Sequence, residues 1–151
     1  MNRLKLFLNL LLVCCIIIAC SSDDDAANAC FNNTIPNVPV NFEINTNLPQ
    51  FNNLQFPGNN VILENLGVNG IVVNNVNGSL FTAFELTDPN RNFSSCSKLV
   101  ITGVEASNTC DNDDNRYNII TGQQVGGTGG CGLRPYRINI SGGGSILLIT
   151  N

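Results

Sequence analysis

From Val38 to the end of the chain, no stretch places apolar residues every three to four positions for long enough to build a helix. The apolar residues come instead in short, β-branched runs. Val38, Val40, Phe42 and Ile44 alternate with polar or small neighbours, the period of a strand with one buried face. Further runs occupy Val61–Leu63, Ile71–Val76, Leu80–Leu86, Lys98–Thr102, Val104–Ser107, Arg116–Ile120, Tyr136–Ser141 and Ile146–Thr150. Clusters of Asn, Gly, Asp and Pro separate them. Asn69-Gly70 and Asn77-Gly78 are turn dipeptides, the second between two good strand runs, and Ser141-Gly142-Gly143-Gly144 is placed to turn the last hairpin. The expectation is an all-β domain, an antiparallel β-sandwich of about nine or ten short strands. About one residue in six is Asn, which suits a turn-rich chain because Asn tolerates the left-handed region and caps turns with its side chain.

The N-terminus has a different character. Arg3 and Lys5 precede an apolar run from Leu6 to Ala19, and Cys20-Ser21-Ser22-Asp23-Asp24-Asp25 follows at once. The run is shorter than the roughly 20 residues needed to span a bilayer, and a small residue closes it. This reads as a bacterial lipoprotein signal, residues 1–19, with Cys20 as the lipidated first residue of the mature chain. An ordinary secretory signal or a short membrane anchor is the plainer alternative. Each buried acyl CH₂ contributes about 0.8 kcal/mol, so several chains on one cysteine make a lasting anchor. Residues 20–36 read as the lipidated Cys and a flexible acidic tether, and 37–151 as the folded domain. The Ser-Ser-Asp-Asp-Asp tract resembles the acidic export tag of surface lipoproteins in Bacteroidetes-type bacteria. That places the protein at the outer membrane, lipid-anchored and displayed on the cell surface, with the periplasmic face as the alternative.

Without residues 1–19 the chain keeps five basic residues against eleven acidic ones, with no basic cluster, so nucleic acid is not an expected partner. Cys14 and Cys15 leave with the signal and Cys20 is lipidated. Cys30, Cys96, Cys110 and Cys131 remain, and outside the cytoplasm they make two disulfides in one of three pairings. The chain has no histidine. That removes the usual general base, the Ser-His and Cys-His nucleophile pairs and the commonest zinc ligand. No Ser or Thr has a base partner in the sequence and no carboxylate pair marks acid–base work, so a non-enzymatic protein is expected.

Two loops and their spacing carry more. Phe84-Glu85-Leu86-Thr87-Asp88-Pro89-Asn90 is the first. Cys110-Asp111-Asn112-Asp113-Asp114-Asn115-Arg116-Tyr117-Asn118 is the second, followed by Ile120-Thr121-Gly122. A Gly-rich stretch, Gly126 to Gly132, leads into Leu133-Arg134-Pro135-Tyr136 and a closing hairpin. From Val38 to the C-terminus this order resembles the Rieske [2Fe–2S] domain, in particular Rieske-like lipoproteins of flavobacterial type. In that family the two loops carry Cys-x-His and Cys-x-x-His, two thiolates holding one iron and two imidazoles the other. Carried over, the ligand positions fall on Asp88, Asn90, Cys110 and Asp113. One of the four ligands is retained, and without histidine no realignment restores the pair of imidazoles. The resemblance thus implies a degenerate domain with no cofactor, where the family would carry 2Fe–2S.

Respiratory members of the family also join their two loops by a disulfide between cysteines that are not ligands. The resemblance therefore implies Cys96–Cys110, which leaves Cys30 with Cys131. It also makes Gly126–Gly132 the loop that shields the cluster, here expected to be a mobile flap. Oxygen side chains at alternate positions of Asp111–Asn115 are the start of a calcium loop, but Arg116 and Gly122 stand where an EF-hand wants Gly and Glu. A polar turn is the plainer reading, and a weak calcium site, with Asp88 across the gap, or a metal held by Asp88, Cys110 and Asp113, is the alternative. Tyr117 and Tyr136 are expected in the core, and Arg116 and Arg134 solvated or ion-paired. The expected function is a binding or structural accessory, partnered with the membrane through its lipid and with an envelope protein or a surface ligand. The alternative is a ferredoxin-like electron-transfer subunit.

Overall fold

A computed structural model describes Cys30 and residues 35–151. Residues 1–19, Cys20 and most of the 20–36 stretch lie outside the described residues, so the signal and lipidation assignments do too.

Among the described residues, ten strands form three antiparallel sheets. The first holds β1 (Asn41–Asn45), β10 (Ile146–Thr150) and β9 (Arg137–Ser141), with β10 in the middle. Asn41 pairs with Thr150, so the two ends of the domain close on each other. The second holds β2 (Asn60–Leu63), β3 (Ile71–Asn75) and β4 (Phe81–Glu85). The third runs in order β5 (Val100–Thr102), β6 (Glu105–Ser107), β7 (Arg116–Asn118) and β8 (Gln124–Gly126).

The second sheet lies between the other two, and β3 shows why. All five of its residues are buried. Side chains alternate across a strand. Ile71 and Val73 therefore join Ala83, Ile44, Leu147 and Ile149 in one core, while Val72 joins Phe84, Leu99, Ala106 and Tyr117 in the other. An uninterrupted Ile-Val-Val run is what a strand with two buried faces requires.

Nine of the ten strands coincide with expected runs, several trimmed at their ends, while β1 runs one residue past its run to Asn45 and β2 starts one residue before its run at Asn60. β8 was not anticipated. Gln124-Val125-Gly126 holds a single β-branched residue, and it is a strand because β7 offers it an edge, with a bulge at Arg116/Tyr117. Asn77-Gly78 turns the β3–β4 hairpin, with Gly78 at φ +93°. The Asn77 side-chain oxygen accepts the N–H groups of Ser79 and Leu80. Asn69-Gly70 ends a longer connection from β2 to β3. Gly142, Gly143 and Gly144 all take positive φ in the last turn, a conformation in which glycine has no Cβ to clash.

The domain's contacts begin before residue 37. Ile35 is buried, and the Arg134 guanidinium donates to the carbonyls of Ile35 and Pro36. Among the described residues, no helix is long and apolar enough to cross a membrane.

Candidate functional site

β4 does not stop where its sheet ends. It continues through Leu86–Asp88, which pairs with Ser97–Leu99: Leu99 donates to the Leu86 carbonyl and Asp88 to that of Ser97. This extension carries Asp88 and Asn90 to the end of the domain where the β6–β7 loop and the Gly-rich loop also arrive.

Asp88 is fully buried. Its Oδ1 accepts the Tyr117 hydroxyl at 2.5 Å and the Asn90 backbone N–H at 2.9 Å. Its Oδ2 accepts the side-chain amides of Asn108 and Asn115. Each oxygen thus receives two donors, which uses both lone pairs. Asn90 is spent in the same way. Its amide nitrogen donates to the Tyr117 hydroxyl and the Cys131 carbonyl, and its oxygen accepts the Cys131 N–H. Tyr117, buried completely, holds the centre of this network. Burial and the Asp88 carboxylate outweigh the Asn90 donor and raise its hydroxyl pKa well above the ordinary tyrosine value.

The Gly-rich loop closes over the network. Asn115 Oδ1 accepts the Thr128 N–H, Gln124 spans to the Thr128 carbonyl, and Gly130 donates to Gln124. A Cβ at Gly129 would stand 2.3 Å from Asn90 Oδ1, and one at Gly127 would stand 2.1 Å from Asn115 Oδ1. These glycines are there for contact with the network, and the expectation of a mobile flap is corrected: hydrogen bonds and a disulfide hold the loop.

The four carried-over positions separate into two groups. Asp88 and Asn90 meet in the network. Cys110 is bonded to Cys96, and Cys30 to Cys131, the same pairings that the resemblance implies. Asp113 turns to Arg91 at 2.5 Å and accepts the Asn115 N–H. Burial pushes its carboxyl up, but the hydrogen bonds from Arg91, Asn115 and Asn108 and the Arg91 charge outweigh that and lower its pKa below the ordinary value. This donor set does not fit a [2Fe–2S] cluster. Its single cysteine is in a disulfide, the oxygens of Asp88 and Asn90 are engaged, and there is no imidazole. Among the described residues, no group of three or more His, Cys, Asp or Glu side chains is placed to hold a metal ion.

Sequence reading missed Asn108, Asn115, Arg91 and a second buried carboxylate. Glu85 is fully buried; it accepts the Val68 and Asn69 N–H groups, the Thr87 hydroxyl and, at 2.8 Å, the Tyr136 hydroxyl. Burial and Glu85 raise the Tyr136 pKa in turn. The signal for Glu85 was parity: Phe81, Ala83 and Glu85 share one face of β4, and the first two are core. Tyr117 and Tyr136 are core residues, as expected. Arg116 pairs with Glu105 at an exposed 3.4 Å, whereas Arg134 binds backbone carbonyls. A shallow groove of about 800 Å³ runs beside the Cys30–Cys131 bridge, lined by Phe84, Gly122, Leu133 and Pro135 among others.

No protein-family profile and no curated protein matches this chain. Among solved structures, it is similar to a chain of the complex of reduced oxygenase and oxidized ferredoxin in carbazole 1,9a-dioxygenase, at 15% identity and TM-score 0.44 over 76% of this chain and 94% of that one. It is similar also to the ferredoxin of carbazole 1,9a-dioxygenase from Nocardioides aromaticivorans IC177, at 15% identity and TM-score 0.42 over 75% and 97%. At that level of likeness the all-β architecture rests on the strands themselves.

Proposed function

We propose that this chain is a lipid-anchored envelope lipoprotein whose Rieske-like domain has exchanged its cluster site for a hydrogen-bonded polar core, and that it works as a binding or structural accessory rather than a redox carrier. One observation carries the reading: the Asp88 carboxylate, at the first of the four ligand positions, receives four protein donors and has no lone pair left for a metal. The loop order, the loop-joining Cys96–Cys110 bridge and the shielding Gly-rich segment support the Rieske-like part. The apolar run ending at Ala19-Cys20 and the acid tract after it support the anchored part. Display on the outer surface, with an envelope protein or a surface ligand as partner, belongs to the same proposal.

The test is made on the protein purified from an oxidising compartment. Metal content and the visible absorption spectrum are recorded alongside non-reducing peptide mapping. A colourless protein with both bridges and no bound metal supports the reading. Stoichiometric iron with visible charge-transfer bands refutes it and restores electron transfer.

A further inference from the structure

The Cys30–Cys131 bridge ties the N-terminal stretch to one particular end of the domain. The backbone of Cys131 both donates to and accepts from Asn90. Asn108 and Asn115 bound the adjoining loop and both reach Asp88. The network, the 108–115 loop and the Gly-rich loop therefore share one end. The β3–β4 hairpin is at the other. From Phe81, where β4 leaves the hairpin, to Asp88 the extended chain advances about 23 Å.

Ten peptide steps separate Cys20 from Cys30. A chain of that length reaches at most about 36 Å. Without the bridge, the first described residue that the domain holds is Ile35, through Arg134, fifteen steps from Cys20. The reach then grows to at most about 54 Å. We propose that the bridge sets the pose of the domain on a lipid surface. It shortens the leash, moves the tie point onto the Gly-rich loop, and so biases the network end toward the membrane and the β3–β4 hairpin away from it. This rests on the anchored reading above. It also makes the hairpin end, with exposed Phe56 and Leu80, the end presented to anything outside.

The test uses residues 20–151, which contain every described contact and both bridges, coupled through the Cys20 thiol to a maleimide lipid in phosphatidylcholine vesicles. A fluorophore is placed by an unnatural amino acid at Asp111, exposed in the 108–115 loop, or at Ser79, exposed in the hairpin. Quenching by headgroup nitroxides is then compared. The expected result is severalfold stronger quenching at Asp111, with the difference narrowing in the Cys30→Ser/Cys131→Ser protein. Equal or reversed quenching in the bridged protein overturns the proposal, and so does a difference that the double substitution leaves unchanged. The bridged comparison stands even where the double variant fails to fold. Fatty-acid labelling of Cys20 in cells is read separately. Absence of label there refutes the anchored reading, whereas the vesicle geometry does not depend on it.

Discussion

Raising the pH tests the two buried tyrosine–carboxylate pairs together. The chain has two tyrosines and no tryptophan, so tyrosinate absorbance reports on nothing else. Tyr117 donates to Asp88 and Tyr136 to Glu85, and all four side chains are buried. Both hydroxyls have pKa values raised above the ordinary 10.0, by burial first and by the neighbouring carboxylate with it. In the unfolded chain they ionise near pH 10. A folded pKa above the unfolded one gives stability that is complete below about pH 10 and is lost as pH rises toward the folded value. Each tyrosine then removes about 1.4 kcal/mol of stability per pH unit. At pH 12 the two together remove roughly 5 kcal/mol, comparable to the whole stability of a marginal domain. Denaturant melts at a series of alkaline pH values, followed by far-ultraviolet circular dichroism, measure the slope. Absorbance measures ionisation in parallel. The two signals are expected to move together, with no tyrosinate before unfolding. A smooth titration of both tyrosines near pH 10 in a protein that stays folded refutes the reasoning.

Asp88→Asn puts an amide N–H₂ where two donors now converge, and is expected to cost about 3–5 kcal/mol in chemical denaturation. A loss under about 1 kcal/mol, within the range of an ordinary surface substitution, contradicts the donor count. Gly129→Ala, at φ +107° with Asn90 Oδ1 2.3 Å from the new Cβ, should lower the melting temperature more than Gly130→Ala, where φ is +79° and nothing lies within 4 Å. Equal effects would leave only backbone strain and remove the close approach as a cause. Asp113 is held below the ordinary value of 3.8 with Arg91 as a principal cause, so its contribution to stability is present above that pH and fades as pH falls through its lower folded value. Arg91→Ala should move the Asp113 midpoint upward in a carboxyl-detected NMR titration, and an unmoved midpoint would place the cause elsewhere.

Much of the fold is legible because its signals are local. The alternation from Val38 to Ile44 is a half-buried strand, and the Ile-Val-Val run at 71–73 is a strand buried on both faces. What escaped depends on partners distant in the chain. Gln124–Gly126 is extended only because β7 lies alongside it. The site divides in the same way. Asp88, Asn90, Cys110 and Asp113 are found by their place in two loops. Asn108 and Asn115 look like any of the turn asparagines until the fold brings them to Asp88. Nothing in the Gly126–Gly132 composition separates a free loop from one pressed onto side chains, because both want glycine. The difference lies in what stands opposite, Asn90 and Asn115, both distant in sequence.

The placement of β3 between two cores has a consequence for how the domain comes apart. Val73 and Val72, adjacent in sequence, serve different sides, and losing the strand empties both. The neighbouring β4 is divided in the same way, Ala83 on one side and Phe84 on the other, so neither core can open without disturbing the strands that carry the second. The domain should therefore open as one cooperative unit, with the β3 amides last to exchange with solvent hydrogen and reporting the global unfolding free energy.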